Sequence, residues 1–106
     1  MKNILSIAIL AGISAASLVA ADATNGKAVY DRSCKACHGV DGTANPAIAK
    51  AMKVEIPDLK SQEVQALSDA EIKNVIVSGK GKMRPIKAVS GSDAGDVAAY
   101  VRTLKK

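Results

Sequence analysis

Beyond the first twenty or so residues, apolar positions recur at helical spacing, and strict alternation of apolar and polar residues is sustained nowhere. The pattern predicts helices joined by loops. Thr24 and Asn25 are good N-caps, so a first helix opens there and runs through "GKAVYDRS" into "CKACH". Turn chemistry follows in "GVDGTANPAI", where Asp41-Gly42 and Asn45-Pro46 mark a loop. "AIAKAMKV" favours helix, and a short helical piece fits Ser61 to Ala66. Ser68 and Glu71 make a capping-box pattern ahead of "AEIKNVIVSG", in which Ile72, Val75 and Ile76 share a face and Gly79 ends the helix. A last helix opens near Ser92 or Asp93. Its acidic start at Asp93 and Asp96 and its basic end at Arg102, Lys105 and Lys106 suit the helix dipole.

The N-terminus has a different pattern. Lys2 precedes an apolar run from Ile4 to Val19, and small residues follow, which is the layout of a secretory signal peptide. Val19 and Ala21 place small side chains where a signal peptidase reads, so cleavage is expected after Ala21, with Ala23 closing a second possible site. The expected organisation is therefore an export segment at 1–21 and one domain at 22–106, directed to the periplasm. An uncleaved anchor is the alternative, although Ser6, Gly12, Ser14 and Ser17 interrupt the run. No Cys stands near the cut, which argues against a lipoprotein.

Composition then narrows what such a domain can be. Tyr30 and Tyr100 are the only aromatic residues, and Phe and Trp are absent. A domain this small and this poor in large apolar side chains needs a disulfide, a metal or a cofactor to complete its interior. The net charge is +5, and it becomes +4 when Lys2 leaves with the export segment, because all ten acidic residues lie beyond it. An exported basic protein without stacking aromatics is a poor nucleic-acid binder, so an acidic protein partner or an anionic membrane face fits better.

"CKACH" holds both cysteines and the only histidine, as Cys34, Cys37 and His38. A disulfide across two intervening residues closes so small a loop that it stabilises little. A dithiol redox centre uses the same spacing but belongs in a strand-helix-strand context, and no strand pattern precedes it. A structural zinc site lacks a fourth Cys or His ligand. Covalent haem attachment accounts for all three residues: on a helical turn they share a face, so two thiols add to the haem vinyl groups while the imidazole reaches the iron. With no second His, the soft candidate for the other axial position is Met. Met52 lies in a helix-friendly run where Met is usually packing. Met83 lies in "SGKGKMRPIKA", where Gly79, Gly81 and Pro85 rule out a continuing helix and leave an open loop able to cross a flat cofactor.

These residues resemble the small class I cytochromes c of bacteria, from Gly26 and Tyr30 through Cys34, Cys37 and His38, Asn45-Pro46 and Pro57-Asp58-Leu59, to "GKGKM" and "VAAYVRTL". The resemblance implies an all-α fold of three to five helices around one covalent haem c. It implies that the first and last helices cross, with Gly26 and Tyr30 against Val97, Tyr100 and Leu104. It also implies that the backbone near Pro46 accepts a hydrogen bond from the second ring nitrogen of His38. One departure stands out, because the family usually follows the ligand Met directly with Pro, whereas Arg84 separates Met83 from Pro85.

The implied function is that of a monomeric one-electron carrier with His38 and Met83 on the iron, not an enzyme. Lys80, Lys82, Arg84 and Lys87 crowd the Met83 loop and are candidates to dock an acidic-faced redox partner such as a terminal oxidase or reductase complex, with Arg84 also a candidate for a haem propionate. Two other uses of the same haem stay open. One is a pentacoordinate protein for gas binding or peroxidase-like chemistry; the other is a cytochrome subunit held within one larger redox complex.

Overall fold

The computed structural model describes residues 21–105, so the expected export segment lies outside the described residues except for Ala21. Six helical segments follow one another: α1 (Ala23–Ser33), α2 (Lys35–His38), α3 (Pro46–Met52), α4 (Gln62–Gln65), α5 (Asp69–Ser78) and α6 (Gly91–Thr103). Two are single turns, which leaves four longer helices, and no strand occurs among the described residues. The expected all-α architecture is the one found.

Caps set most of the boundaries. The capping box of Ser68 and Glu71 starts α5, and Gly79, at φ 77°, stops it. Elsewhere the caps differ from the expected ones. Asp22, not Thr24 or Asn25, caps α1, its carboxylate accepting from the Thr24 and Asn25 N–H groups. Asn25 is used otherwise, its side chain donating to Asp93 at 3.0 Å and Asp96 at 2.7 Å on α6. Ser90 caps α6, two residues before the predicted start. The Asn45-Pro46 pair, read as loop, begins a helix: the Asn45 side chain accepts from Ala47 N–H while Pro46 takes the first helical position, where its missing N–H costs nothing.

Helices α1 and α6 make the main contact of the fold. A Cβ on Gly26 would sit 1.9 Å from the carbonyl oxygen of Asp96, so the two backbones touch at a place where only glycine fits. Beside that point Tyr30, fully buried, packs on Tyr100 with ring centroids 5.1 Å apart and planes at 58°, the tilted arrangement aromatic pairs favour. Val29, Val97, Ala98 and Val101 extend the buried layer, and Ile72 and Ile76 bring α5 against α6. The crossing is fastened at its edge where Asp22 N–H donates to the Asp96 carboxylate at 2.8 Å. At the other end Arg102 donates to the carbonyls of Gln65 and Leu67, satisfying the last turn of α4 from α6.

Two expectations follow. Gly26→Ala should lower the stability of the protein by about 2 kcal/mol through overpacking, seen as a lower melting temperature; an unchanged one would show that the helices can separate at no cost. The hydrogen bonds from Asp22 N–H and the Asn25 side chain hold the Asp96 carboxyl below its ordinary value of 3.8. A carboxylate depressed in the fold stabilises fully above the unfolded value, and that stabilisation is lost as pH falls through the folded one. Asp96→Asn should therefore make the loss of stability in acid shallower below about pH 4, as measured by denaturant titrations at stepped pH.

Candidate functional site

The turn carrying Cys34, Cys37 and His38 is too short to hold itself. Helix α1 breaks at Cys34, α2 is one turn long, and no side chain caps its start. A single turn leaves most of its carbonyls without helical partners. Here they are taken up one by one: Lys35 by Gly39 N–H at 2.8 Å, Ala36 by the Asn45 side chain at 3.1 Å, and Cys37 by Asn45 N–H at 2.9 Å. The carbonyl of Gly39, just past His38, accepts from the hydroxyl of buried Tyr30 at 2.6 Å. The α1–α6 core on one side and the start of α3 on the other thus fix how the turn is aimed. Asn45 was legible only as a loop residue, yet it caps α3 and holds two carbonyls of this turn.

The turn faces a cleft made of two contiguous cavities of about 290 Å³ and about 650 Å³. Cys34, His38, Pro57, Lys80 and Met83 line both, and Cys37 lines the larger. The inner wall is apolar, built from Leu59, Val64, Leu67, Ile72, Ile76 and Val101. The structure therefore brings Cys34, Cys37 and His38 together with Met83, from segments far apart in the chain. Cys34 is buried and Cys37 exposed, with no disulfide between them. Burial, and then the neighbouring Cys37, push the Cys34 thiol up to about 11. Burial also lowers the pKa of His38, which keeps its imidazole neutral.

His38 Nδ1 is buried and has no hydrogen-bond partner, so the bond it was expected to donate to the backbone near Pro46 is not made. Pro46 is the first residue of α3, and its carbonyl belongs to the helix ladder. Met83 sits on a tight turn in which Lys80 N–H donates to the Met83 carbonyl at 2.9 Å and Met83 N–H to the Lys80 carbonyl at 3.0 Å, with Gly81 at φ 58°. Met52, read as packing, is not in the core: it is 37% exposed and lines the larger cavity. Of the four basic candidates, Lys80 lines both cavities, Arg84 lines the larger, and Lys87 is exposed outside them. Lys82 is engaged, its ammonium donating to the Met52 carbonyl at 2.7 Å. No spacing rule signals that contact, since thirty residues separate the partners.

An apolar cleft with two thiols, a neutral imidazole and a thioether on its walls fits a flat, apolar, iron-bearing ring attached through the thiols. It also suits a chain without Phe or Trp, whose interior is otherwise unfilled. Comparisons with known proteins agree. Residues 21–101 match the family described as cytochrome c oxidase, cbb3-type, subunit III. Cytochrome c6 of Synechocystis sp. is 38% identical over 84 residues, a match spanning 78% of this chain and 66%, just under two thirds, of that one. The solved structure of KustC0563 c-type cytochrome superposes with a TM-score of 0.65 at 30% identity, covering 76% of this chain and 98% of that one. With one C-x-x-C-H motif at the mouth of one such cleft, the chain belongs to the monohaem cytochrome c family, and its cofactor is a covalent c-type haem.

Proposed function

We propose that the protein is a periplasmic carrier of single electrons, exported by residues 1–21, with His38 and Met83 as the axial ligands of its haem. The observation that carries this reading is that one apolar cleft presents both the imidazole of His38 and the thioether of Met83. The bound haem supplies a one-electron ferric/ferrous couple, and no substrate bond is made or broken. What the chain contributes is position and exclusion of water. His38 rides on a turn whose carbonyls are held from two sides, and Met83 on a two-residue turn closed by paired backbone hydrogen bonds. Ligand segments fixed in this way limit rearrangement on electron transfer, and a thioether favours the ferrous iron and raises the potential.

A relay within one complex is the second reading, favoured by the family description, which is that of an oxidase subunit. In either case Lys80, Arg84 and Lys87 offer positive charge at or beside the cleft mouth to an acidic-faced partner. Lys82 contributes less, because its ammonium already has a carbonyl.

The holoprotein should show the near-infrared charge-transfer band of Met on ferric haem, and Met83→Ala should lose that band and gain carbon monoxide binding in the reduced state. A wild-type protein that lacks the band and binds carbon monoxide would move the function to gas binding or peroxidase-like chemistry. With an acidic-faced acceptor, the bimolecular transfer rate should fall about tenfold between ~10 mM and ~0.5 M ionic strength, and a rate indifferent to salt would remove the docking role.

A further inference from the structure

The contact between Lys82 and Met52 joins two parts of the site that have no reason to meet through chain connectivity. Lys82 precedes Met83 and lies inside the tight turn whose two backbone hydrogen bonds run between Lys80 and Met83. Any displacement of Lys82 is therefore transmitted to Met83. On the far side, Met52 is the last residue of α3, and its carbonyl is one that a helix C-terminus leaves without a partner. The Lys82 ammonium reaches it at 2.7 Å. A cation placed on a terminal carbonyl is also favoured by the helix dipole.

The other end of α3 is fastened to the haem-attachment turn, since Asn45 caps α3 and takes the carbonyls of Ala36 and Cys37. A continuous physical path thus runs from the turn bearing His38, through Asn45 and α3, to Lys82 and Met83. The opposite side of the Met83 loop is held separately, by Ile86 N–H on the Ile76 carbonyl of α5 at 2.9 Å. Met52, Lys82 and Met83 all line the larger cavity, so the contact spans the cleft at its open edge.

We infer that Lys82 is a positioning residue, a latch that holds the Met83 loop shut against the end of α3 and so sets how often Met83 leaves the iron. The inference rests on Met83 being the axial ligand. Because the contact is a hydrogen bond to a backbone carbonyl, its effect does not depend on the sum of surface charge.

The test uses the ferric holoprotein, Lys82→Met and Lys82→Arg, with imidazole as the incoming ligand, and the displacement of Met83 is followed by loss of the near-infrared band in rapid mixing. Measurements are made at low salt and at ~1 M salt, where surface charges are screened within about 3 Å. Lys82→Met should admit imidazole about tenfold faster at both salt concentrations, and Lys82→Arg, which keeps a donor, should stay closer to wild type. The static spectrum and melting temperature before imidazole should change little, because the α1–α6 core is untouched. Equal rates in Lys82→Met and wild type would overturn the latch, as would an acceleration that disappears in high salt. A wild-type protein without the near-infrared band would instead overturn the ligand assignment, a failure told apart before imidazole is added.

Discussion

The backbone contact between α1 and α6 at Gly26 is the constraint on which the rest of this structure depends. With the Asp96 carbonyl oxygen 1.9 Å from where a Gly26 side chain would begin, the two helix backbones touch at this point. That closeness lets a chain with two aromatic residues bury Tyr30 against Tyr100 and still keep an ordered core. It also fixes the axis of α1, and the turn carrying Cys34, Cys37 and His38 is the direct continuation of α1 after the break at Cys34. A glycine inside a helix costs about 1 kcal/mol relative to alanine, and at Gly26 the partner backbone needs the space.

From that crossing the site is assembled by capturing carbonyls rather than by long helices. The Tyr30 hydroxyl, buried in the crossing, reaches out to the Gly39 carbonyl, so one side chain serves both the core and the turn next to His38. Asn45 does the corresponding work from the α3 side. Such an arrangement ties down the backbone that carries His38 and leaves an apolar cleft between the helices, a place that fits a flat apolar ring.

Much of this was legible in the residues, for reasons that differ from element to element. The capping box at Ser68 and Glu71 and the stop at Gly79 are local chemistry, and they appear in the fold as expected. The CKACH stretch stood out because five consecutive residues hold both cysteines and the only histidine, and the fold sets all three on one cleft. The crossing of α1 and α6 was implied by family resemblance, since nothing in the local sequence of Gly26 names its partner. Asn45-Pro46 was misread because the pair suits a turn as well as a helix start, and only the packing of α3 beside the attachment turn decides between them. The Lys82 contact and the unpartnered His38 Nδ1 could not be read at all, because both depend on where distant segments meet.

Arg84, which separates the ligand candidate from its proline, shows how a departure from the family pattern can be absorbed locally. Gly79 ends α5 at φ 77°, and a Cβ there would lie 2.6 Å from the Met83 carbonyl oxygen and 2.8 Å from Pro85 Cδ. The end of α5 is thus pressed against both flanks of Arg84 at once. Met83 is placed by its paired backbone bonds to Lys80, Pro85 rests on Gly79, and Ile86 returns to the Ile76 carbonyl. Arg84 lies exposed between these anchors, and Met83 lines the cleft wall. Both the stop of α5 and the shape of the Met83 loop then rest on the absence of one side chain at Gly79. A residue that reads in sequence as simple punctuation is, in the fold, the surface on which the loop carrying the axial Met candidate is set.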